Sequence, residues 1–240
     1  MGKIAVRNQM KRQWVSEFLL DILFPKKCVS CGKLDSLFCE KCQAKILYLK
    51  TQNCPYCNKI TVRGRVCPSC KSSYKSALTG VYVVAHFETS LKEAIHQFKY
   101  EFIKSLREDL ADIAWPLLND FPQKAILTCV PSNSKRLAWR GYNQAEELAR
   151  ILAKRTGMRF YPNLLKRTSY KAPQTQLGRK DRFKNVRNTF VEDKSFDLSG
   201  KQVIIVDDLV TSGATLDACA HEIRKMGATR VWGFALARNK

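Results

Sequence analysis

The sequence contains no run of eighteen apolar residues, and its basic start, MGKIAVRNQMKRQW, lacks the apolar stretch at the centre of a signal peptide. We therefore expect a cytoplasmic protein without a transmembrane segment. A Walker A motif is also absent, which argues against an ATP-driven motor. Acidic residues are scarce, since 21 Asp and Glu stand against 42 Lys and Arg. The formal charge of +21 favours polyanionic partners, namely nucleic acid, an anionic membrane or phosphate-rich ligands.

The length and composition predict two folded units. At 240 residues and 45% hydrophobic content, the chain can form one well-packed core and a smaller unit that needs other support. We divide it into an amphipathic helix at 1–24, a zinc-binding region at 25–76 and an α/β region at 77–240. Apolar residues at helical spacing predict the helix, whose apolar face is expected to pack on the rest of the chain. Docking to a membrane or a partner is the alternative.

Eight of the 10 cysteines form four CxxC pairs. Two intervening residues let both thiolates turn toward one tetrahedral metal ion, and two such pairs complete a closed four-thiolate zinc site. In a reducing compartment these cysteines are better metal ligands than disulfides. We predict two structural zinc sites, and catalytic zinc is not expected because protein fills all four positions. The pairs are Cys28/Cys31, Cys39/Cys42, Cys54/Cys57 and Cys67/Cys70.

The spacing of the pairs favours two consecutive sites. Gly32 and the short gap to Cys39 suit a hairpin that joins the first two pairs, while an interleaved arrangement remains the alternative. Each site can supply on the order of 10 kcal/mol of folding free energy. Each four-thiolate zinc site carries 2 − 4 = −2, so two sites lower the net charge from +21 to about +17. Cys129 and Cys219 lie in apolar context and are predicted core thiols.

The surface of the cysteine-rich region is predicted to be basic. Basic residues interleaved with aromatic rings suit single-stranded nucleic acid, because charge follows the backbone and rings stack on bases. A solvated basic face without a ligand is the alternative. The residues concerned are Lys26, Lys27, Lys33, Lys41, Lys45, Lys50, Lys59, Arg63, Arg65, Lys71 and Lys75, with Tyr48 and Tyr56 among them.

The remainder of the chain alternates between short apolar segments and amphipathic ones. This alternation predicts a mostly parallel α/β sheet with helices on both faces. The predicted strands are 81–87, 125–131, 203–208 and 230–237, and the clearest helices are 143–157 and 215–227. The polar, basic segment at 168–188 shows no clear period, and we expect it to form a mobile lid.

The stretch VIIVDDLVTSGATLDAC, at 203–219, predicts a phosphate site. A buried strand ends in Asp207 and Asp208, whose carboxylates can accept hydrogen bonds from two ribose hydroxyls or help to hold Mg²⁺ through water. A short loop of small and hydroxyl residues then opens a helix, whose N-terminal N–H groups can hold a phosphate. Gly213 permits close approach of the ligand. The loop residues are Thr211, Ser212, Gly213, Ala214 and Thr215.

A second group of candidates follows the strand at 125–131. Side chains just beyond the carboxyl end of that strand can clamp a pyrophosphate through charge-assisted hydrogen bonds. The expected lid adds further basic residues that can approach phosphate or DNA. The strand-end candidates are Ser132, Lys135, Arg136 and Arg140, and those of the lid are Arg179, Lys180 and Arg182.

The acid pair and its loop closely resemble the signature of type I phosphoribosyltransferases. VPSNSKRLAWRGYNQAEELA (130–149), QTQLGRKDRFKNVRNTF (174–190), FKY (98–100) and the CxxC arrangement are similar to the ComF family of DNA-uptake (competence) proteins. The resemblance implies a type I phosphoribosyltransferase-like domain that binds 5-phosphoribosyl-1-pyrophosphate (PRPP) with Mg²⁺. Asp207 and Asp208 would then face the ribose, and residues 211–215 would hold its 5′-phosphate. The chain departs from the family at 132–134, where Ser, Asn and Ser replace the usual Leu and basic residue.

These observations favour a protein of natural transformation that binds single-stranded DNA and carries a PRPP-type site. One alternative is an active phosphoribosyltransferase that acts on a nucleobase or another nitrogen nucleophile, although no base-recognition element is evident. Another is a zinc-ribbon adaptor that docks a helicase or a membrane DNA-translocation partner. Amide transfer from glutamine is not expected, because the sequence given begins with Met1 and Gly2 rather than a cysteine nucleophile.

Overall fold

The computed structural model describes residues 25–100, 105–168 and 189–239. The predicted helix at 1–24 and the lid candidates Arg179, Lys180 and Arg182 lie outside these ranges. The strands are β1 (Gly80–His86), β2 (Ile126–Cys129), β3 (Arg159–Phe160), β4 (Leu165–Arg167), β5 (Phe190–Glu192), β6 (Gln202–Val210) and β7 (Arg230–Arg238). The α-helices are α1 (Glu40–Gln43), α2 (Pro68–Tyr74), α3 (Thr89–Tyr100), α4 (Leu106–Ala114), α5 (Ser134–Arg140), α6 (Gln144–Thr156) and α7 (Ala214–Lys225). Two 3₁₀ turns span Val62–Gly64 and Trp115–Asp120.

Five strands form one parallel sheet in the order β1-β7-β6-β2-β3. The predicted strands correspond to β1, β2, β6 and β7, and the two clearest predicted helices correspond to α6 and α7. Strands this rich in Val and Ile are stable only when both faces of the sheet are covered. The predicted parallel α/β architecture is therefore confirmed.

Successive side chains of β6 enter two different apolar clusters. Ile204 and Val206 pack with α3, α4 and α6, whereas Val203 and Ile205 pack with α7. Cys129 and Cys219 are buried, one in each cluster, as predicted for core thiols. The parallel strands bring their carboxyl ends to one edge of the sheet, where ligands bind in open α/β folds.

The two cysteine-rich units lie against opposite faces of this sheet. Ribbon 1 (residues 27–46) contributes to the cluster of α3, α4 and α6, and ribbon 2 (residues 53–70) contributes to the cluster of α7. Between them the chain runs along β1, where Leu49 donates its N–H to Val84 and the Gln52 side chain bonds both backbone groups of Val83. These hydrogen bonds pair backbone groups that would otherwise be exposed at the β1 edge of the sheet.

A separate pair of antiparallel strands, β4 and β5, precedes and follows 169–188. The N–H of Thr168 donates to the carbonyl of Thr189 at 3.0 Å, so the two ends of that segment are adjacent. Arg167, the last residue of β4, lines the cavity described below. The described residues that flank 169–188 therefore lie beside that cavity.

Candidate metal sites and anion cavity

The structure groups the eight cysteines into two sets of four. The first set contains residues 28, 31, 39 and 42, the second contains residues 54, 57, 67 and 70, and all sulfur atoms within each set lie within 4.8 Å of one another. The Sγ atoms of Cys31 and Cys39, and those of Cys57 and Cys67, are each 3.7 Å apart. A tetrahedron with Zn–S bonds of about 2.3 Å has edges of about 3.8 Å, so both sets fit zinc. Consecutive pairing is confirmed, and the interleaved alternative is wrong.

The two sets are built by the same local structure. In each, the third cysteine donates its backbone N–H to the sulfur of the first, from Cys39 to Cys28 and from Cys67 to Cys54, at 3.5 Å in both cases. The third cysteine also precedes a short helix, α1 or α2, whose N-terminal dipole favours a thiolate. The two ribbons are thus structural repeats, and in the sequence only the spacing of their cysteines indicates the repetition.

A cavity of about 470 Å³ opens at the carboxyl ends of β2 and β6. It gathers most of the side chains that the sequence singled out on both segments. The cavity is lined by Lys99, Val130, Pro131, Ser132, Asn133, Arg140, Asn143, Gln144, Ala145, Arg167, Asp207, Asp208, Leu209, Thr211 and Thr215.

Two adjacent carboxylates, Asp207 and Asp208, lie near the carboxyl end of β6, which continues to Val210. Lys99, in the last turn of α3, places Nζ 2.8 Å from Oδ1 of Asp208. Asp207 accepts the backbone N–H of Asp208 at 2.9 Å. Burial and the neighbouring Asp208 raise the pKa of Asp207 to about 7, although Lys99 opposes this shift. One carboxyl is therefore paired with a cation, and the other can change its charge near neutral pH.

The predicted phosphate loop connects β6 to α7. Thr211 and Thr215 line the cavity, whereas Ser212 and Ala214 are buried behind it. Gly213 caps α7 with φ 77°, a left-handed conformation that disfavours a side chain. This turn presents the N-terminus of a twelve-residue helix to the cavity, the arrangement that favours bound anions.

The wall opposite the loop comes from α5, α6 and the end of β2. Asn133 caps α5 by accepting the N–H of Lys135 at 2.8 Å, and Arg140 donates to Oε1 of Gln144 at 3.0 Å. Within the described residues, Nε2 of the buried Gln144 has no hydrogen-bond partner. Ser132 and Arg140 line this wall, whereas Lys135 is exposed and does not line the cavity. The side chain of Arg136 is not described.

Two cavity cations had no role assigned from the sequence. Lys99 belongs to the FKY segment and reaches Asp208 from α3, and Arg167 reaches the cavity from β4. One expectation is wrong: Tyr56, predicted among the rings available to nucleic-acid bases, is only 1% exposed, whereas Tyr48 is 51% exposed. Tyr56 is buried because ribbon 2 packs on the cluster of α7.

Two family models match the chain, a double zinc ribbon domain at residues 19–71 and a phosphoribosyl transferase domain at residues 137–239. Together they cover more than half of its length. The parallel sheet, the cavity at its carboxyl edge and the two four-cysteine sets agree with both matches. The molecule is a phosphoribosyltransferase-fold protein with a double zinc ribbon.

Curated relatives match this chain over much of its length. Competence protein F of Haemophilus influenzae is 28% identical over 234 residues, which cover 89% of this chain and 98% of that protein. DNA utilization protein YhgH of Escherichia coli O6:H1 is 29% identical over 65% of this chain and 70% of that protein. A hypoxanthine phosphoribosyltransferase from Staphylococcus aureus superposes on 60% of this chain and 70% of its own, with 13% identity and a TM-score of 0.38. The chain is a member of the ComF family of competence proteins.

Proposed function

We propose that this protein acts in DNA uptake, with its basic surface holding single-stranded DNA and its cavity holding a phosphoribosyl ligand such as PRPP with Mg²⁺. The observation that carries the proposal is the convergence, in one cavity, of a ribose-type acid pair, a phosphate-type loop and cations on the opposite wall. The names of the two relatives supply the DNA context.

The cavity is suited to a phosphorylated sugar. In this proposal Asp207 and Asp208 accept hydrogen bonds from adjacent hydroxyls, and the loop with Thr211 and Thr215 holds the 5′-phosphate. Ser132, Arg140 and Arg167 then face the pyrophosphate. Arg179 and Arg182, which lie outside the described residues, remain proposed as further pyrophosphate ligands. Two carboxylate groups are also the oxygen donors that Mg²⁺ prefers, so the residues present fit that ion.

The DNA surface is proposed on both ribbons. Residues 25–75 contain eleven Lys and Arg against only Asp35 and Glu40, and each of the eleven is exposed. Tyr48 supplies an exposed ring for stacking on a base. Such a surface binds a phosphate backbone with little sequence preference. In the ranges that the structure describes, every helix is too short or too polar to span a bilayer.

The experiment is a pair of titrations, one with labelled single-stranded DNA and one with PRPP plus Mg²⁺, each repeated in the presence of the other ligand. If DNA neutralises about four lysines or arginines, log K should fall against log salt with a slope of roughly −3. Absence of DNA binding at low salt would remove the DNA half of the proposal, and absence of PRPP binding would remove the other half.

Catalysis is the second candidate, favoured by the raised pKa of Asp207. A carboxyl group that titrates near pH 7 beside a paired one can exchange a proton with a nitrogen nucleophile. Release of pyrophosphate from PRPP in the presence of a nucleobase panel would support this activity. PRPP binding without release would leave the ligand-binding role alone.

A further inference from the structure

Ribbon 2 lies directly behind the predicted phosphate loop. A Cβ built on Gly213 would meet Cε1 of Tyr56 at 3.3 Å and Cβ of Pro55 at 3.6 Å. Both residues stand between Cys54 and Cys57, the first two ligands of the second zinc set. The turn at Gly213 therefore lies directly against the zinc knuckle, with too little space between them for a side chain unless the Tyr56 ring shifts.

A buried carboxylate joins the same knuckle to the helix that the loop opens. Asp217, in the first turns of α7, is 1% exposed, and its Oδ1 accepts hydrogen bonds from the Tyr56 hydroxyl at 3.0 Å and the Ser76 hydroxyl at 2.7 Å. The N–H groups of Ala77 and Leu78 donate to the same oxygen at 3.0 and 3.4 Å. This concentration of donors holds α7 to ribbon 2.

The ionised state of Asp217 agrees with that geometry. Burial alone would raise its pKa, but His221, whose Nε2 lies 3.6 Å from Oδ2, and the hydroxyls of Ser76 and Tyr56 lower the pKa below its ordinary value. The N–H of Asp217 in turn donates to the carbonyl of Gly213 at 2.9 Å. Asp217 is thus linked to the loop through its backbone N–H and to Tyr56 through its carboxylate.

Tyr56 contacts both ends of this arrangement. Its ring packs on Gly213 and stacks on Tyr74 with centroids 4.8 Å apart, while its hydroxyl reaches Asp217. We propose that Tyr56 is a positioning residue for the phosphate loop, so that ribbon 2 is part of the phosphoribosyl site and ribbon 1 is not. The inference rests on the proposed function for its ligand, but the contact itself can be tested without one.

Ribbon 1 offers the matched comparison. Ser30 stands where Tyr56 stands in ribbon 2, one residue before the second cysteine. The hydroxyl of Ser90, at the start of α3, donates to the carbonyl of Cys42 at 2.6 Å. Along α3 this contact is nine residues, or about 14 Å, from Lys99 in the cavity. In the part of the chain that the structure describes, this contact of ribbon 1 is separated from the cavity by the length of α3.

The test compares Tyr56→Phe with Ser90→Ala, because each removes one buried hydroxyl from a contact between a ribbon and the sheet domain. The probes are ribose 5-phosphate, which needs the loop, and inorganic pyrophosphate, which is expected on the opposite wall. Tyr56→Phe should weaken ribose 5-phosphate about fivefold and leave pyrophosphate within twofold of wild type. Ser90→Ala should leave both affinities within twofold of wild type, even if it lowers Tm by as much as Tyr56→Phe does.

Equal losses for both probes, or the same loss in both variants, would mean a general effect on stability and would overturn the assignment. Hydrogen exchange of the ligand-free protein gives a second readout. Amides 211–217 should exchange faster in Tyr56→Phe than in wild type or Ser90→Ala, and unchanged exchange would overturn the inference whatever binds. If wild type binds neither probe, the proposed function fails. The exchange result still tests whether Tyr56 positions the loop.

Ser76→Ala covers the case in which Tyr56→Phe does not fold. It removes another donor to Oδ1 of Asp217 without altering a residue between two zinc ligands. It should also speed exchange at 211–217 and weaken ribose 5-phosphate selectively. Wild-type exchange in this variant would contradict the role given to the Asp217 cluster.

Discussion

The two zinc ribbons are alike in their metal sites and unlike in what they support. Both use the same cysteine spacing at each knuckle, the same 3.5 Å N–H to sulfur bond and a short helix after the third cysteine. Ribbon 1 packs on the face covered by α3, whereas ribbon 2 packs on the face covered by α7. A single repeated metal motif therefore braces the sheet from both sides.

The difference between the ribbons lies in the residues that the cysteines enclose. Val29 and Ser30 fill the first knuckle, and Pro55 and Tyr56 fill the second. Only the second pair contacts the turn at Gly213. In the proposed arrangement, a structural metal site acts on the adjacent binding site without supplying a ligand there, because its knuckle presents a side chain to the loop.

The largest expected effect is that of zinc removal, which should remove the difference between the two ribbons because neither stays folded. We expect two zinc ions per chain, and chelation should unfold both ribbons and strongly destabilise the sheet, because ribbon residues belong to both apolar clusters. Each site contributes on the order of 10 kcal/mol. Metal analysis and thermal melting with and without chelator measure this. One zinc per chain, or an unchanged melt after chelation, would contradict the prediction.

The next largest effect is expected when the two carboxylates of the cavity are replaced. Asp207→Asn with Asp208→Asn should abolish PRPP binding, since amides keep the shape but lose the charge needed by ribose hydroxyls and Mg²⁺. Zinc content and most DNA affinity should survive, because removing negative charge cannot weaken attraction for a polyanion. Calorimetry with PRPP and anisotropy with labelled DNA provide the two readouts. Loss of both in a variant that still melts cooperatively would show that the sites overlap.

A smaller effect is the pH dependence of stability, which should be independent of either ribbon. The pKa of Asp207 is raised to about 7 from 3.8, so between those values the folded protein holds a proton that the unfolded chain releases. This carboxyl's contribution to stability therefore falls as pH rises toward 7. Relative to wild type, Asp207→Asn should gain no more than about 1 kcal/mol between pH 6 and 8, because the side chain is partly exposed. Urea unfolding at both pH values measures the gain, and a constant difference would contradict the shifted pKa.

The smallest effect should show the ribbons behaving alike. Lys33 and Lys59 occupy equivalent exposed positions, and the backbone carbonyl of each accepts the N–H of the first cysteine in its set. Lys33→Gln and Lys59→Gln should each weaken single-stranded DNA about two- to threefold and reduce the salt slope by about 0.7. Ribose 5-phosphate affinity should not change in either variant. Anisotropy at several salt concentrations measures the slope of log K against log salt for each variant. Unequal slopes would mean that the DNA surface is confined to one ribbon.

The fold could be predicted from the periodicity of apolar residues, and the metal sites could be predicted from the spacing of the cysteines. Apolar strands such as 203–206 alternate with amphipathic helices, and burial on both faces follows directly from that pattern. The consecutive cysteine sets follow from short-range spacing, because each site closes within fewer than twenty residues. The acid pair and the phosphate loop are also local, since one strand and one helix N-terminus position them.

Contacts between remote segments could not be predicted in this way. Lys99 in α3 pairs with Asp208 in β6, and Tyr56 is 161 residues from Asp217 in the chain. A tyrosine within a basic ribbon has the same sequence signal whether it stacks on DNA or on a protein loop. Only the packing of ribbon 2 on α7 decides between these roles, and that packing depends on how the whole sheet folds.

The most direct measurement of the central claim is calorimetry of ribose 5-phosphate binding to Cys31→Ser and Cys57→Ser. These are the exposed cysteines of the two sets, at equivalent positions, so each variant weakens one zinc site by the same chemical change. Because only the second knuckle contacts the phosphate loop, Cys57→Ser should weaken binding about tenfold, or about 1.4 kcal/mol, while Cys31→Ser stays within twofold of wild type. Equal losses in the two folded variants, or a larger loss in Cys31→Ser, would contradict the assignment of ribbon 2 to the site.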